Sequence, residues 1–415
     1  MRYGLIGERL GHSFSKIIHE DLADYTYDLI PLEQEKVADF LQKKDFAALN
    51  VTIPYKETVI PFLDEIDEKA KKIGAVNTIV NRNGKLCGYN TDYFGFRYLL
   101  EHHGINPAGK KVLLLGKGGA AKAVKAVLDD MGAKEIFTVY YKNAPDTVTY
   151  EECYKNHTDA AIIVNTTPVG MYPKFQAVPL DLTGFSHLEA VADVVYNPLR
   201  TQIVLNAQKK GCIGVGGLEM LVGQAKYGVE IFLDTCLEAN VIEKETCKLY
   251  QQQNNLVLVG MSGCGKSSLG KELARATGKI FVDTDAEIVG EIKMPIADFF
   301  AQYGEAAFRR KETEIIEKLA GRNGLVIATG GGVVLHPKNI ELLKMNGNII
   351  WIKRKADLLE SGNGRPLAPD KEAVKALYAK RLPIYEKAAE VEVENNGTLE
   401  EGVQAVLAAY YSFSI

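Results

Sequence analysis

The chain lacks any apolar run long enough to cross a bilayer. About 18–20 consecutive apolar residues would be needed, and its longest stretches, such as Asn255-Leu-Val-Leu-Val-Gly260, have the length of a buried strand. Cysteine is sparse and unpatterned: Cys87, Cys153, Cys212, Cys236, Cys247 and Cys264 form no Cys-x-x-Cys pair, and the seven histidines form no His-Glu-x-x-His. Neither a disulfide framework nor a zinc site is expected, and the thiols read as reduced and mostly packed. Charge of one sign is also missing. Forty-nine Lys and Arg oppose 53 Asp and Glu, a net −4 scattered along the chain, which gives no field for gripping nucleic acid or an acidic membrane. No internal period of 20–50 residues recurs, so the two halves are not copies of one another. The opening Met1-Arg-Tyr-Gly-Leu-Ile-Gly7 has none of the sections of a signal peptide, and a cytoplasmic location is expected.

What is present is a globular composition: 415 residues, 47% hydrophobic and 25% charged, enough for two to four domains at about 100–200 residues each. Short aliphatic runs (Ile162–Asn165, Val191–Val195, Leu325–Ala328, Ile349–Ile352) alternate with helix-like segments (Ala120–Met131, Ser267–Thr277, Phe308–Ala320). This is the pattern of doubly wound α/β domains. Two Gly-rich turns, at Gly116 and Gly260, each follow such a run directly. The polar stretch Val241–Asn255 reads as the boundary between two units.

In the first turn, Lys111-Val-Leu-Leu-Leu-Gly116-Lys-Gly118-Gly119-Ala120-Ala121, strand, glycines and helix stand in the order that lets backbone amides approach a pyrophosphate. A tight turn with no ligand is the alternative. About 20 residues on, an NAD site has an acid against the ribose 2′-hydroxyl; here Val139-Tyr140-Tyr141-Lys142-Asn143 offers a cation instead, which favours NADP. Upstream lie polar clusters on short loops: Gly11-His12-Ser13-Phe14-Ser15, Asn50-Val-Thr52-Ile-Pro54-Tyr-Lys56, Gly74-Ala-Val-Asn77-Thr78 and Gly88-Tyr-Asn90-Thr91-Asp92. Each alone is a common turn composition. In this order, followed by Asn165-Thr-Thr167-Pro, Asp193-Val-Val-Tyr196-Asn-Pro198 and Gly216-Gly217-Leu-Glu-Met220-Leu-Val-Gly-Gln224, they resemble shikimate dehydrogenase over residues 1–240 or so.

The second turn, Gly260-Met-Ser-Gly263-Cys-Gly265-Lys266-Ser267-Ser268, is a complete G-x-x-x-x-G-K-S between strand and helix. Its amides can cradle phosphates, Lys266 reach the transferred phosphoryl and Ser267 bind magnesium. Beyond it come Asp283-Thr284-Asp285, which can also be read as a solvated helix cap, then Phe308-Arg309 with Glu312, Thr329-Gly330-Gly331-Gly332, Gly364-Arg365-Pro366-Leu367 and Arg381-Leu-Pro383-Ile-Tyr385. As an ordered series over about residues 254–415 they resemble shikimate kinase.

The first resemblance implies a substrate domain (1–97 and 216–245) around a Rossmann NADP-binding domain (98–215). Lys56 and Asp92 would be the catalytic pair, and Ser13, Ser15, Thr52, Asn77, Tyr196 and Gln224 would join Asp92 in holding substrate. Gly116, Gly118, Gly119, Ala120, Lys142, Thr166 and Met220 would hold NADP. Two residues depart from the family pattern: Lys16 follows Ser15 where proline is usual, and Tyr141-Lys142-Asn143 replaces Asn-Arg-Thr. The second resemblance implies, after a linker at 246–253, a P-loop α/β kinase domain of the nucleoside-monophosphate-kinase type (254–415). There Gly260, Gly263, Gly265, Lys266, Ser267, Ser268 and Arg365 would hold ATP, with Arg354 near the adenine. Ser267 and Asp283 would hold Mg2+, while Asp285, Arg309, Gly330, Gly331, Gly332 and Arg381 would hold shikimate. Lys266, Asp285 and Arg365, the last on a mobile lid, would serve the chemistry. The expected partners are small molecules alone, with neither nucleic acid nor membrane. Two alternatives stay open at this level: one half acting as a shikimate-sensing module without turnover, or an NAD-using quinate/shikimate dehydrogenase in the first half.

Overall fold

The computed structural model describes residues 2–11, 13–359 and 370–413. It divides into two compact units that meet in sequence at Leu249 and Tyr250. The first contains two sheets. One is built from β1 (Tyr3–Gly7), β2 (Tyr27–Pro31), β3 (Ala48–Val51), β4 (Glu65–Ile66), β5 (Thr78–Arg82) and β6 (Lys85–Tyr89), in the order β2-β1-β3-β5-β6-β4. It is mixed. β1 runs parallel to β2 and β3, whereas β5 lies antiparallel to β3 and β6, because the two residues Asn83-Gly84 between β5 and β6 allow only a hairpin return.

The other sheet holds β7 (Lys111–Leu115), β8 (Glu135–Val139), β9 (Ile162–Asn165), β10 (Ala190–Asp193) and β11 (Ile213–Val215), all parallel, in the order β11-β10-β9-β7-β8. Side chains alternate along β7 between two layers. Val112 and Leu114 pack with Val124, Val127 and Leu128 of the helix Gly119–Asp130, while Leu113 and Leu115 pack with Ile203, Val204 and Ala207 of the helix Gln202–Lys209. A strand covered on both faces has no polar side, which is why Leu113-Leu-Leu115 reads as a continuous apolar run. β8 and β9 flank β7, so the chain leaves β7 in opposite directions and opens a crevice at its carboxyl end. The glycine turn at Gly116 occupies that end.

Two helices of this unit touch at backbone distance. A Cβ on Gly95, in the helix Asp92–His102, would lie 2.5 Å from the Met220 carbonyl and 2.8 Å from the Gln224 nitrogen of the helix Leu218–Leu233. At one end of this contact, buried Glu219 pairs with His102 Nδ1 at 2.8 Å and His103 Nε2 at 2.6 Å.

The second unit has one parallel sheet: β12 (Asn255–Val259), β13 (Ile280–Asp283), β14 (Leu325–Ala328), β15 (Gly347–Lys353) and β16 (Val391–Glu394), in the order β13-β14-β12-β15-β16. β12 is central and wholly buried, and the Gly260 turn follows it at the crevice between β14 and β15. The division at Leu249 and Tyr250 falls within residues 246–253, which are helical, the end of a helix Val241–Gln253; the stretch is polar but contains neither Gly nor Pro, and Glu, Lys and Gln favour helix. The segment Phe308–Ala320 is the second part of a longer helix, Ile296–Ala320, broken at Gly304. Among the described residues no helix is long and apolar enough to cross a membrane.

Candidate active sites

In the first unit Lys56 lies beyond β3 and Asp92 opens the helix that follows β6. Lys56 Nζ donates to Asp92 Oδ2 at 2.6 Å, and the side chains are only 14% and 6% exposed. Shielded from water, such a charge-assisted contact is far stronger than a surface pair. Asn77 orients the carboxylate from the other side, its Nδ2 donating to Asp92 Oδ1 at 2.9 Å and to Thr91 Oγ1 at 3.0 Å, while its Oδ1 accepts from the Thr91 amide at 2.7 Å. Behind Asn77 runs a buried polar chain absent from the sequence reading: Tyr27 donates to Asn50 at 2.6 Å, Asn50 to Thr78 at 3.2 Å, and Thr78 meets Thr91 at 3.2 Å. No spacing rule connects these residues, which come from β2, β3, β5 and the loop after β6.

A second cluster joins Ser13, Ser15 and Tyr196. Ser13 and Ser15 share a 3.0 Å hydrogen bond, and the Tyr196 hydroxyl pairs with Ser13, burial pushing the phenol upward in pKa. Thr52 is half-buried beside β1, its amide bound to the Ile6 carbonyl at 2.9 Å. Gln224 is buried with its amide turned back on its own helix, to the Leu221 carbonyl at 2.9 Å.

A cavity of about 760 Å³ runs over the crevice beside β7. It is lined by Gly116, Lys117, Gly118, Gly119, Ala120 and Thr166, with Lys56, Tyr141 and Pro168 among the others. The turn presses on the lysine: a Cβ on Gly119 would stand 3.0 Å from Lys56 Cβ. The volume and the exposed turn amides fit a dinucleotide, and the cavity reaches Lys56 of the Lys56–Asp92 pair. Two residues expected at NADP are not on its wall. Met220 points into the core around Val164 and Ala192, because it falls on the inner face of its helix. Lys142 is exposed, its Nζ 5.0 Å from the centre of the Tyr141 ring.

In the second unit the phosphate turn runs straight into the helix Lys266–Thr277, so the free amides of its first turn face the loop. Lys266 is buried, and its Nζ donates to the Gly260 and Met261 carbonyls, both at 2.9 Å. Ser267 Oγ donates to Asp283 Oδ2 at 2.6 Å. That pairing of hydroxyl and carboxylate oxygens is a donor set suited to Mg2+. Asp283 also caps the helix Thr284–Ile292, Oδ1 accepting from the Asp285 and Ala286 amides at 3.0 and 3.3 Å, so the cap reading and the metal-shell reading describe the same side chain. Asp285 has its pKa raised, by burial first and by the Asp283 charge next, against Lys266 and Arg309. Arg309 makes a fork with Glu312, Nη1 at 3.1 and 3.0 Å from its two oxygens, and Glu312 is 1% exposed.

The three-glycine turn after β14 threads between these groups. A Cβ on Gly330 would meet Asp285 Oδ1 at 2.6 Å, and one on Gly332 would run into the Arg309 guanidinium. Buried Arg381 reaches the Gly331 carbonyl at 2.9 Å, and the Tyr385 hydroxyl reaches it at 2.5 Å. Gly263 and Ser268 lie on the loop and the first helical turn, and Arg354 Nη1 stands 4.0 Å from where a Gly265 Cβ would be. Asn395, unmarked in sequence, braces the loop by donating to the Cys264 carbonyl at 2.8 Å. Arg365 lies outside the described residues, with the rest of the expected lid.

A dinucleotide-type α/β unit carrying a buried ammonium–carboxylate pair, and a P-loop α/β unit carrying carboxylates and arginines beside its phosphate turn, define a two-part enzyme: an oxidoreductase joined to a kinase. Comparison with known proteins gives both parts a family. Residues 5–79 match the shikimate dehydrogenase substrate binding domain and residues 262–411 match shikimate kinase. The NADP(+) shikimate dehydrogenase of Clostridium beijerinckii is 41% identical over 256 residues, 57% of this chain and 93% of its own length. Shikimate dehydrogenase 1 of Peptoclostridium difficile superposes with a TM-score of 0.56 at 33% identity, covering 60% of this chain and 98% of its own. The Thermus thermophilus shikimate 5-dehydrogenase in complex with NADP(H) and shikimate gives 0.54 at 29%, covering 60% and 99%. The chain belongs to the shikimate dehydrogenase family and carries a shikimate kinase domain in its C-terminal part.

Proposed function

We propose that the first unit reduces 3-dehydroshikimate to shikimate with NADPH and that the second phosphorylates shikimate to shikimate 3-phosphate with Mg-ATP, both in the cytoplasm. The observation that carries the reading is the shielded Lys56–Asp92 pair lying against the glycine turn of a dinucleotide-sized cavity. NADPH, when bound, supplies the hydride. Lys56 then gives a proton from Nζ to the oxygen that gains charge at the reduced carbonyl, and Asp92 keeps the ammonium aimed and charged. Asn77 fixes the free oxygen of Asp92, while Ser13, Ser15 and Tyr196 offer hydroxyls to the substrate carboxylate, and Thr52 and Gln224 bind its ring hydroxyls. The NADP and shikimate held by the Thermus relative support this assignment.

In the second unit bound Mg-ATP supplies the phosphoryl group. Asp285 accepts the proton of the acceptor hydroxyl, a role that its raised pKa serves, since a stronger base at neutral pH removes that proton more readily. Ser267 and Asp283 are the oxygen donors for Mg2+, directly or through water. Arg309 and Arg381 clamp the shikimate carboxylate, for which a planar guanidinium is the matching shape. A coupled assay with dehydroshikimate, NADPH and Mg-ATP tests both halves: NADPH loss must be accompanied by shikimate 3-phosphate. Absence of either product from the intact chain overturns the proposal for that half.

A further inference from the structure

The residue between the first two glycines of the dinucleotide turn is a lysine, and it faces the cavity. Lys117 is exposed on the cavity wall and its Nζ donates to the Pro145 carbonyl at 3.0 Å. Pro145 belongs to the excursion that follows β8, pinned at its base by Tyr140 N to Val148 O and Val148 N to Thr138 O, both 2.9 Å. Lys142 stands on the same excursion but turns onto the Tyr141 ring, so Tyr141, not Lys142, contributes to the wall. The Gly turn thus presents an ammonium at the cavity and rests it on the loop that carries a second one. Neither is ion-paired among the described residues. The one carboxylate on the wall, Glu57, is taken by Lys122 at 2.6 Å.

We infer that Lys117 is the principal specificity-determining cation for the 2′-phosphate of NADP, with Lys142 secondary. In a dinucleotide fold the adenosine ribose lies between the first turn and the end of the second strand, here between Gly116 and Val139, which is the gap that Lys117 spans. A lone carbonyl holds an ammonium weakly compared with a phosphate dianion, so Nζ exchanges one for the other on binding. This inference rests on the NADP reading above.

The test is kcat/KM for dehydroshikimate reduction with NADPH and with NADH, in the unaltered chain, Lys117→Ala, Lys117→Arg and Lys142→Ala, together with inhibition by adenosine 2′-monophosphate against the 5′-isomer. Lys117→Ala is expected to lose about 10- to 100-fold with NADPH and less than about threefold with NADH, and to lose its preference for the 2′-isomer in parallel. Lys117→Arg keeps both, and Lys142→Ala loses less than Lys117→Ala. The NADH rate serves as the control for folding of this unit. Equal losses with both coenzymes, or a preference abolished by Lys142→Ala and untouched by Lys117→Ala, overturn the inference. If the unaltered chain fails to discriminate between the coenzymes, the NADP reading falls instead, and that outcome is separate from a failure of Lys117.

Discussion

The two units keep their key lysines in opposite conditions. Lys56 is already joined to the carboxylate beside it, and Asn77 holds the far oxygen of that carboxylate, so the pair is assembled by the fold alone. Lys266 instead spends its charge on carbonyls of its own loop, while Asp285 stands raised in pKa without a direct cation among the described residues and Arg309 is engaged by Glu312. The difference matches the proposed chemistry. A proton donor for a carbonyl must be charged and aimed before hydride arrives. In the proposed phosphoryl-transfer site Lys266 is held by neutral carbonyls of its own turn, which keeps an ammonium beside the amides that would cradle the phosphates.

The widest way to break this comparison is to remove each lysine. Lys56→Ala is expected to cost reduction about 10²–10⁴-fold while phosphorylation of added shikimate is kept, and Lys266→Ala to do the converse. Steady-state rates of each half-reaction read both. Lys56→Ala also strands a buried carboxylate, so its unit is expected to unfold at a lower temperature, whereas Lys266→Ala breaks hydrogen bonds only to neutral carbonyls.

Next in size is Asp285→Asn. Loss of the proposed base is expected to lower phosphorylation about 10²-fold or more, yet the unit should melt at a higher temperature. The sign follows from linkage. With its folded pKa raised, the carboxyl contributes stability that is full below the ordinary carboxylate range and is lost as pH rises through the raised value. At neutral pH the charged form is a cost, and the amide removes it. For the same reason the acid limb of the kinase pH profile should lie above the ordinary carboxylate pKa. A limb at or below that range, or a lower melting temperature for the amide, contradicts the account.

Gly332→Ala comes third. Its Cβ would push the Arg309 guanidinium, the end of a flexible side chain, so KM for shikimate is expected to rise about tenfold with little loss of melting temperature. The smallest effect is on the first unit. Tyr196→Phe removes one neutral hydrogen bond to Ser13, expected to raise KM for dehydroshikimate about 2- to 10-fold and to leave NADPH binding unchanged. A KM change confined to the coenzyme would assign Tyr196 elsewhere.

Contiguity decides what is legible in the sequence. The turns at Gly116 and Gly260 can be read because strand, glycines and helix follow one another without interruption, and the structure keeps that order. Asp283 and Asp285 are legible for the same reason. The Tyr27–Asn50–Thr78–Thr91 chain is not, since its members are set side by side only by strand pairing over tens of residues. Met220 and Lys142 illustrate a second limit: position relative to a motif gives the neighbourhood of a side chain, whereas the face of the helix or the turn of the loop gives its direction. Lys117 lies inside the motif itself, where the glycine pattern treats it as a filler.

The contact between Gly95 and the Met220–Gln224 backbone carries a consequence for selectivity. Asp92 rides on one of these helices and Gln224 on the other, and their separation is set where two main chains touch. Main chains do not change rotamer. In the proposed function the span offered to a substrate ring is therefore gauged like the jaws of a caliper, fixed by the absence of a side chain at Gly95. Altering which ring the site accepts would begin there rather than among the residues that face it.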